Sequence, residues 1–313
     1  MTAAIQSIGN LRRRSALERA LGRGVAAALE ADDVVEALVN EDGVVWIDRV
    51  GRGLERTDHV LSAHDREAAI RLIAHEAGLS IGEDRPQLAA ILPESAARVQ
   101  ALLPPLTRAP VLAIRKRPRL IYRLDDYVRD GIAARASADR LAKAVADKQN
   151  IVVAGGTGSG KTTLLNALLA ESAFAQARVV ILEDTAELQC ASPNVVQLLT
   201  KASAPAIGMR ELVQMTLRLR PDRIVVGEVR DGAALEVLKA WNTGHPGGLL
   251  TLHANSAADA LARLEDLCME TRAQRPTRLI EAAIDMVVFI ARTERGRAIT
   301  DIIDMKDAKR RAR

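Results

Sequence analysis

The residues best equipped for chemistry form one run: Gly155, Gly156, Thr157, Gly158, Ser159, Gly160, Lys161, Thr162 and Thr163. Gly155-x-x-x-x-Gly160-Lys161-Thr162 has the spacing of a phosphate loop. Glycines there let the backbone turn sharply and approach phosphate oxygens with no Cβ in the way. The loop N–H groups and the positive end of the helix that follows then face the anion. In such a loop Lys161 reaches the β- and γ-phosphates and the Thr162 hydroxyl ligates Mg2+, so the expected ligands are ATP and Mg2+.

Three further polar residues stand at the ends of apolar, β-branched runs: Arg178-Val-Val-Ile-Leu-Glu183-Asp184, Ile224-Val-Val-Gly-Glu228 and Gly248-Leu-Leu-Thr-Leu-His253. Open parallel sheets bind ligands beyond the carboxyl ends of their strands. Acids placed there by packing alone would be costly unless paired or bound to a cation. Glu228 is the first candidate for polarising an attacking water and Glu183 the second; either can also reach Mg2+ through water. His253 reads as a sensor of the γ-phosphate or a brace for Glu228, against the alternative of a hydrogen-bonded structural histidine. His245 reads equally well as a turn residue. Many P-loop ATPases hold Mg2+ with an aspartate at a strand end; here Asp222 precedes its strand and falls at the wrong end.

The flanking segments are of the types that position such a loop. Residues 151–154 suit a buried parallel strand and 161–171 an amphipathic helix. Beyond them, helices are expected over 212–219, 231–241, 257–269 and 279–283, with Asn255 or Ser256 as a cap, and strands over 286–290 and 299–305. This alternation predicts an α/β domain over 137–313 with a mainly parallel sheet covered on both faces. The N-terminal part, 1–118, reads as a smaller α+β domain. Its expected helices cover 15–30 and 65–77. Its expected strands cover 34–39, 44–48, 88–92, 99–103 and 111–114, and Trp46 is read as core. Prolines at 86, 93, 104, 105, 110 and 118 argue against long helices there. Residues 119–136 read as a linker with a helix starting after Leu124, and Arg115-Lys-Arg-Pro-Arg119 as a solvated boundary or a set of arginines for phosphates.

The composition narrows the function classes. The two cysteines, Cys190 and Cys268, form no C-x-x-C pair, so neither a zinc site nor a disulfide framework is supported. No apolar run is long enough to span a bilayer, and no secretory apolar core opens the chain, which points to the cytoplasm. Two Trp, two Tyr and two Phe are too few for a base-stacking platform, so direct, sequence-specific nucleic-acid binding is not expected. A net charge of +4 is compatible with an anionic membrane surface or nucleic acid, and the basic tail 306–313 reads first as a solvated, frayed end and only second as a contact for acidic lipid.

Together, Gly155 to Thr162, Leu182-Glu-Asp-Thr-Ala-Glu187, Leu217-Arg-Leu-Arg-Pro-Asp-Arg-Ile-Val-Val-Gly-Glu-Val-Arg230 and Thr243-Gly-His-Pro-Gly…Thr251-Leu-His-Ala-Asn255 resemble the Walker A, Asp, Walker B and His boxes of the type II/type IV secretion traffic ATPases. Leu-Gln-Cys190 and Trp46-Ile-Asp-Arg49 are most similar to the Trb-type conjugal transfer branch. Absence of the zinc-binding cysteine tetrad of some type II members favours the type IV side. The resemblance implies a RecA-like C-terminal domain, a sensor-like N-terminal domain and a homohexameric ring with ATP between the two domains of adjoining protomers. It also implies peripheral attachment at the inner membrane beside the components of a type IV secretion channel. Arg115 fits by position the arginines that family members place on the nucleotide; Arg123 and Arg230 remain alternatives. The competing readings are a DNA-stimulated RecA-like motor, a small-molecule P-loop kinase and a scaffold that binds nucleotide without hydrolysing it.

Overall fold

The computed structural model describes residues 17–22, 24–49, 53–92, 97–116, 121–201, 205–271, 274–294 and 296–305. Arg117 to Arg119, the basic tail and the first residues of the expected N-terminal helix lie outside the described residues. The chain divides into two compact units, Met1–Leu120 and Ile121–Arg313.

The first unit is built on a six-stranded sheet ordered β3-β2-β1-β6-β5-β4. Its strands are β1 (Val34–Val39), β2 (Val44–Arg49), β3 (Gly53–Val60), β4 (Gln87–Ile91), β5 (Arg98–Leu102) and β6 (Val111–Arg115), and every neighbouring pair is antiparallel. Helical residues 17–22 and 24–30 (α1) and helix α2 (Ala63–Glu76) supply Leu21, Val25, Ile70 and Ile73 to a core shared with Val45, Ile47, Leu112 and Ile114. Ser62 caps α2, its hydroxyl accepting from the Asp65 N–H at 3.1 Å. Trp46, expected in the core, is only half-buried. It pairs with Leu38, and the period of two sends both away from the face that Val45 and Ile47 bury. Strand β3 was not expected from the sequence; it is an edge strand made largely of exposed residues, Glu55, Arg56, Asp58 and His59 among them, a composition that discourages edge-to-edge pairing.

The second unit carries a seven-stranded sheet ordered β13-β12-β7-β11-β10-β8-β9. Its strands are β7 (Ile151–Gly155), β8 (Val179–Glu183), β9 (Val195–Leu199), β10 (Arg223–Val226), β11 (Leu249–His253), β12 (Met286–Thr293) and β13 (Gly296–Asp304). The sheet is mixed: all neighbours are parallel except β13, which folds back antiparallel on β12. Alternation along each strand divides the core in two. Val152, Val180, Ile224 and Leu250 face a cluster with α6 (Met209–Thr216), α7 (Ala233–Asn242), α8 (Ala257–Met269) and α9 (Thr277–Ala283). Ile151, Val179, Val225 and Leu249 face another with α3 (Leu124–Arg129), α4 (Arg135–Ala146) and α5 (Lys161–Leu169). Helix α3 falls within the stretch read as a linker, and its Leu124 and Tyr127 are buried in this unit's core. Helix α5 is not amphipathic as expected: Leu164 through Leu169 are all buried, which marks an interior helix.

Candidate functional site

In the second sheet β7, β11, β10 and β8 are consecutive and parallel. Their carboxyl ends therefore line one edge, in the order Gly155, His253, Glu228, Glu183. His253 is in register with Gly155. Glu228 follows β10 by two residues and is held from both sides. The Gly227 N–H donates to Leu182 O at 2.8 Å, the Val229 N–H donates to Thr251 O at 3.0 Å, and the Thr251 hydroxyl donates to Gly227 O at 2.5 Å. Thr251 is a positioning residue that sequence reading passed over. The signal was there, since it is the lone polar residue inside Leu249-Leu-Thr-Leu.

The loop itself leaves no room for side chains at its base. A Cβ on Gly155 would lie 2.3 Å from Ile290 O of β12 and 2.5 Å from Ser159 Oγ. Gly160, the residue before α5, has φ +102°, a left-handed conformation that favours glycine. Gly156, Thr157 and Gly158 are exposed at the rim, Ser159 is buried, and Thr162 and Thr163 are half-buried in the first turn of α5.

Lys161, 8% exposed, donates from Nζ to Gly155 O at 3.0 Å and Gly156 O at 2.9 Å, and lies 3.3 Å from His253 Nδ1. His253 Nε2 lies 2.7 Å from Glu228 Oε1. Lys161 Nζ also lies 3.5 Å from Nε2, so the amine sits against both ring nitrogens, while Glu228 Oε1 is close to Nε2 without accepting a hydrogen bond. Burial lowers the His253 pKa, and the neighbouring Lys161 charge lowers it further while Glu228 opposes, so the neutral form is favoured. Arg230 donates from Nε to Glu228 Oε2 at 2.8 Å, also contacts that oxygen from Nη2, and approaches Asp184 Oδ2 at 3.6 Å. Asp184 in turn accepts from the Thr200 hydroxyl at 2.9 Å. The edge thus carries a row Lys161, His253, Glu228, Arg230, Asp184 in which the charged members alternate in sign around a neutral imidazole. A cavity of about 530 Å3 opens beside it, with Gly156, Thr157, His253, Asn255 and Arg263 among its lining residues.

Glu183 belongs to a different arrangement. It is 2% exposed, and its Oε1 accepts from the Glu187 N–H at 2.8 Å and the Leu188 N–H at 2.9 Å. Asn166 of α5 grips the same segment, accepting from the Gln189 N–H at 2.8 Å and donating to Glu187 O at 3.3 Å. Glu183 and Asn166 together fasten the chain after β8 to the loop helix. A lone asparagine in the apolar run Leu164 to Leu169 was the overlooked signal.

The remaining candidates sit elsewhere. His245 closes the end of α7, its Nδ1 lying 3.2 Å from Ala240 O. Asp222 accepts from the Arg178 N–H at 2.7 Å at the opposite sheet edge. The Arg123 N–H donates to Asp126 Oδ2 at 2.8 Å at the start of α3. Arg115 ends β6 in the first unit, exposed, paired in register with Glu36 of β1 and Arg98 of β5. Lys116 is buried and its amine contacts Ala31 O, so it is tied to the fold.

Residues 23–301 match the family described as Type II/IV secretion system protein. The chain is 44% identical over 292 residues to a probable conjugal transfer protein TrbB of Sinorhizobium fredii, covering 93% of this chain and 89% of that protein. It is 33% identical over 314 residues to the type IV secretion system protein PtlH of Bordetella pertussis, covering 88% and 91%. Among solved structures it is similar to the VirB11 ATPase of the Brucella suis type IV secretion system in complex with sulphate, with a TM-score of 0.51, 27% identity and 96% and 98% coverage.

Proposed function

The chain belongs to the type II/IV secretion system protein family, and from that premise we propose that it is the ATP-hydrolysing motor of a conjugative type IV secretion system. The observation that supports this best is the row of alternating charge beside the loop. Hydrolysis of a γ-phosphoryl group needs positive charge for the transferring group and a carboxylate to orient water. Lys161 supplies the first, and Glu228 is the carboxylate within reach of it through His253. Glu228 accepts a proton from the attacking water as the bond to the β,γ-bridging oxygen breaks, giving ADP and inorganic phosphate. His253 Nε2 stands beside one Glu228 oxygen, and Arg230 donates to the other and neutralises it.

The donor set suits Mg2+, which takes hard oxygen ligands and keeps several waters. The Thr162 hydroxyl in the first turn of α5 would hold it, with Glu228 engaging it through water; Glu183, committed to two backbone N–H groups, is the poorer partner. Bound there, the ion would neutralise charge on the β- and γ-phosphates. We assign the second unit as a RecA-like catalytic domain and the first as a sensor-like domain that carries Arg115, the candidate arginine for a nucleotide. The working form is a homohexameric ring, peripheral at the inner membrane beside the channel components. Among the described residues no helix is long and apolar enough to cross a membrane.

The test is ATP turnover by the full chain with Mg2+, alone and with anionic liposomes or DNA, alongside its mass in solution with and without ATP. Phosphate release that Lys161→Ala abolishes, with an ATP-dependent ring and stimulation by lipid, supports the reading. Stimulation by DNA and not by lipid would replace it with a DNA motor.

A further inference from the structure

On the side of the loop away from His253, the hairpin of β12 and β13 brings an arginine against the phosphate cradle. Arg297 donates from Nε to Gly158 O at 3.3 Å. A Cβ built on Gly160 would lie 3.1 Å from Arg297 Cδ, so the arginine stem packs on the residue that starts α5. The hairpin is anchored: Ile290 O of β12 presses on Gly155, and the Ile299 N–H of β13 donates to Ile132 O at 2.8 Å. Arg297 forms no ion pair with a carboxylate among the described residues, and its charge is felt at the buried Tyr127 hydroxyl. A half-buried guanidinium beside a phosphate loop, held through its Nε and carrying two further NH2 groups, is equipped to meet an anion.

Direction follows from the sheet. β7 lies between β11 and β12. Lys161, His253 and Glu228 mark the β11 side as the place of the terminal phosphate. A nucleotide laid across the start of α5 then presents its other end on the β12 and β13 side. We propose that Arg297 is a positioning residue for the α-phosphate and nucleoside end of the bound nucleotide, fixing the far end of ATP while the β11 side carries out hydrolysis. This rests on the assignment of Lys161 and Glu228 made above. A contact present equally in bound substrate and transition state lowers KM and leaves kcat unchanged.

The experiment measures kcat and KM for ATP, and Kd for ADP, in the full chain and in Arg297→Ala, Arg297→Met and Arg297→Lys. Methionine keeps a stem to pack on Gly160 and removes the guanidinium. Loss of a charge-assisted hydrogen bond corresponds to about a tenfold or greater change. The expected result is therefore a KM and an ADP Kd raised about tenfold in Arg297→Ala and Arg297→Met, kcat within about threefold, and partial recovery in Arg297→Lys. Unchanged KM and Kd in Arg297→Met would overturn the proposal, as would equal loss of kcat in all three variants, which marks a packing role. If the wild-type chain fails to bind ADP, or Lys161→Ala hydrolyses ATP normally, the fault lies in the assignment of the loop and not in Arg297.

Discussion

Glu183 and Glu228 look alike in the sequence, each an acid closing an apolar run, and adjacent strands bring them to the same sheet edge. Their surroundings differ. Glu183 is buried against two backbone N–H groups of the segment that follows it. Glu228 has no backbone donor on its carboxylate among the contacts described; its oxygens face His253 and Arg230, two side chains about half exposed to solvent. A carboxylate bonded to backbone is fixed by the fold, whereas one held by side chains can exchange partners. Position at a strand end predicts proximity to a ligand, and the partners decide whether the group is structural or reactive.

Glu228→Gln gives the largest effect expected of that contrast. The amide keeps the size and loses the basicity, and general-base groups contribute about 10²- to 10⁴-fold. Phosphate release is expected to fall by that factor while ATP binding and thermal midpoint hold. A variant that hydrolyses near the wild-type rate would erase the distinction, because Glu228 would then be as structural as its neighbour.

Glu183→Ala probes the other half. It strips the acceptor from two backbone donors, one of them on buried Leu188, at about 1–3 kcal/mol each. Stability measured by urea unfolding should drop by about 2–6 kcal/mol, with ATP turnover per folded molecule reduced far less than in Glu228→Gln. The opposite pattern, intact stability and lost turnover, would promote Glu183 to the reactive role.

The same pair marks where sequence reading stops. The loop, the apolar strands and their polar ends were legible because glycine spacing and β-branched runs are local signals. The unbroken apolar run Ile151 to Ala154 even foretold a sheet buried on both faces. Strand order is not local: β11, distant in sequence, inserts between β7 and β10, and that crossover is what sets His253 between Lys161 and Glu228. Side-chain aim is not local either. Nothing in Leu182-Glu-Asp-Thr-Ala-Glu187 says that Glu183 turns onto its own following backbone. Two of the four edge strands escaped as well, β3 and β9. β3 is largely charged and carries no apolar signature, whereas β9, Val195-Val-Gln-Leu-Leu, does carry one and was passed over. Trp46 was misplaced because an aromatic in a strand reads as core whichever face it takes.

His253 allows the smallest and most specific test, since it touches the Glu228 half and not the Glu183 half. Its pKa is lowered in the folded chain from the ordinary value of 6.5, chiefly by burial and then by Lys161. As pH falls below 6.5 the unfolded chain therefore takes up this proton before the folded one does. By linkage the folded state loses stability over that window, and the contribution is fully present above it. His253→Asn removes the titrating group, so the variant's unfolding free energy should fall less steeply than that of the wild type between the ordinary value and the lowered one. Solvent around a half-exposed ring keeps the slope shallow, so paired urea titrations at several pH values are needed to resolve it. Coincident slopes would mean that the fold does not select the neutral imidazole beside Lys161 and Glu228, and a steeper fall in the variant would mean that it selects the charged one.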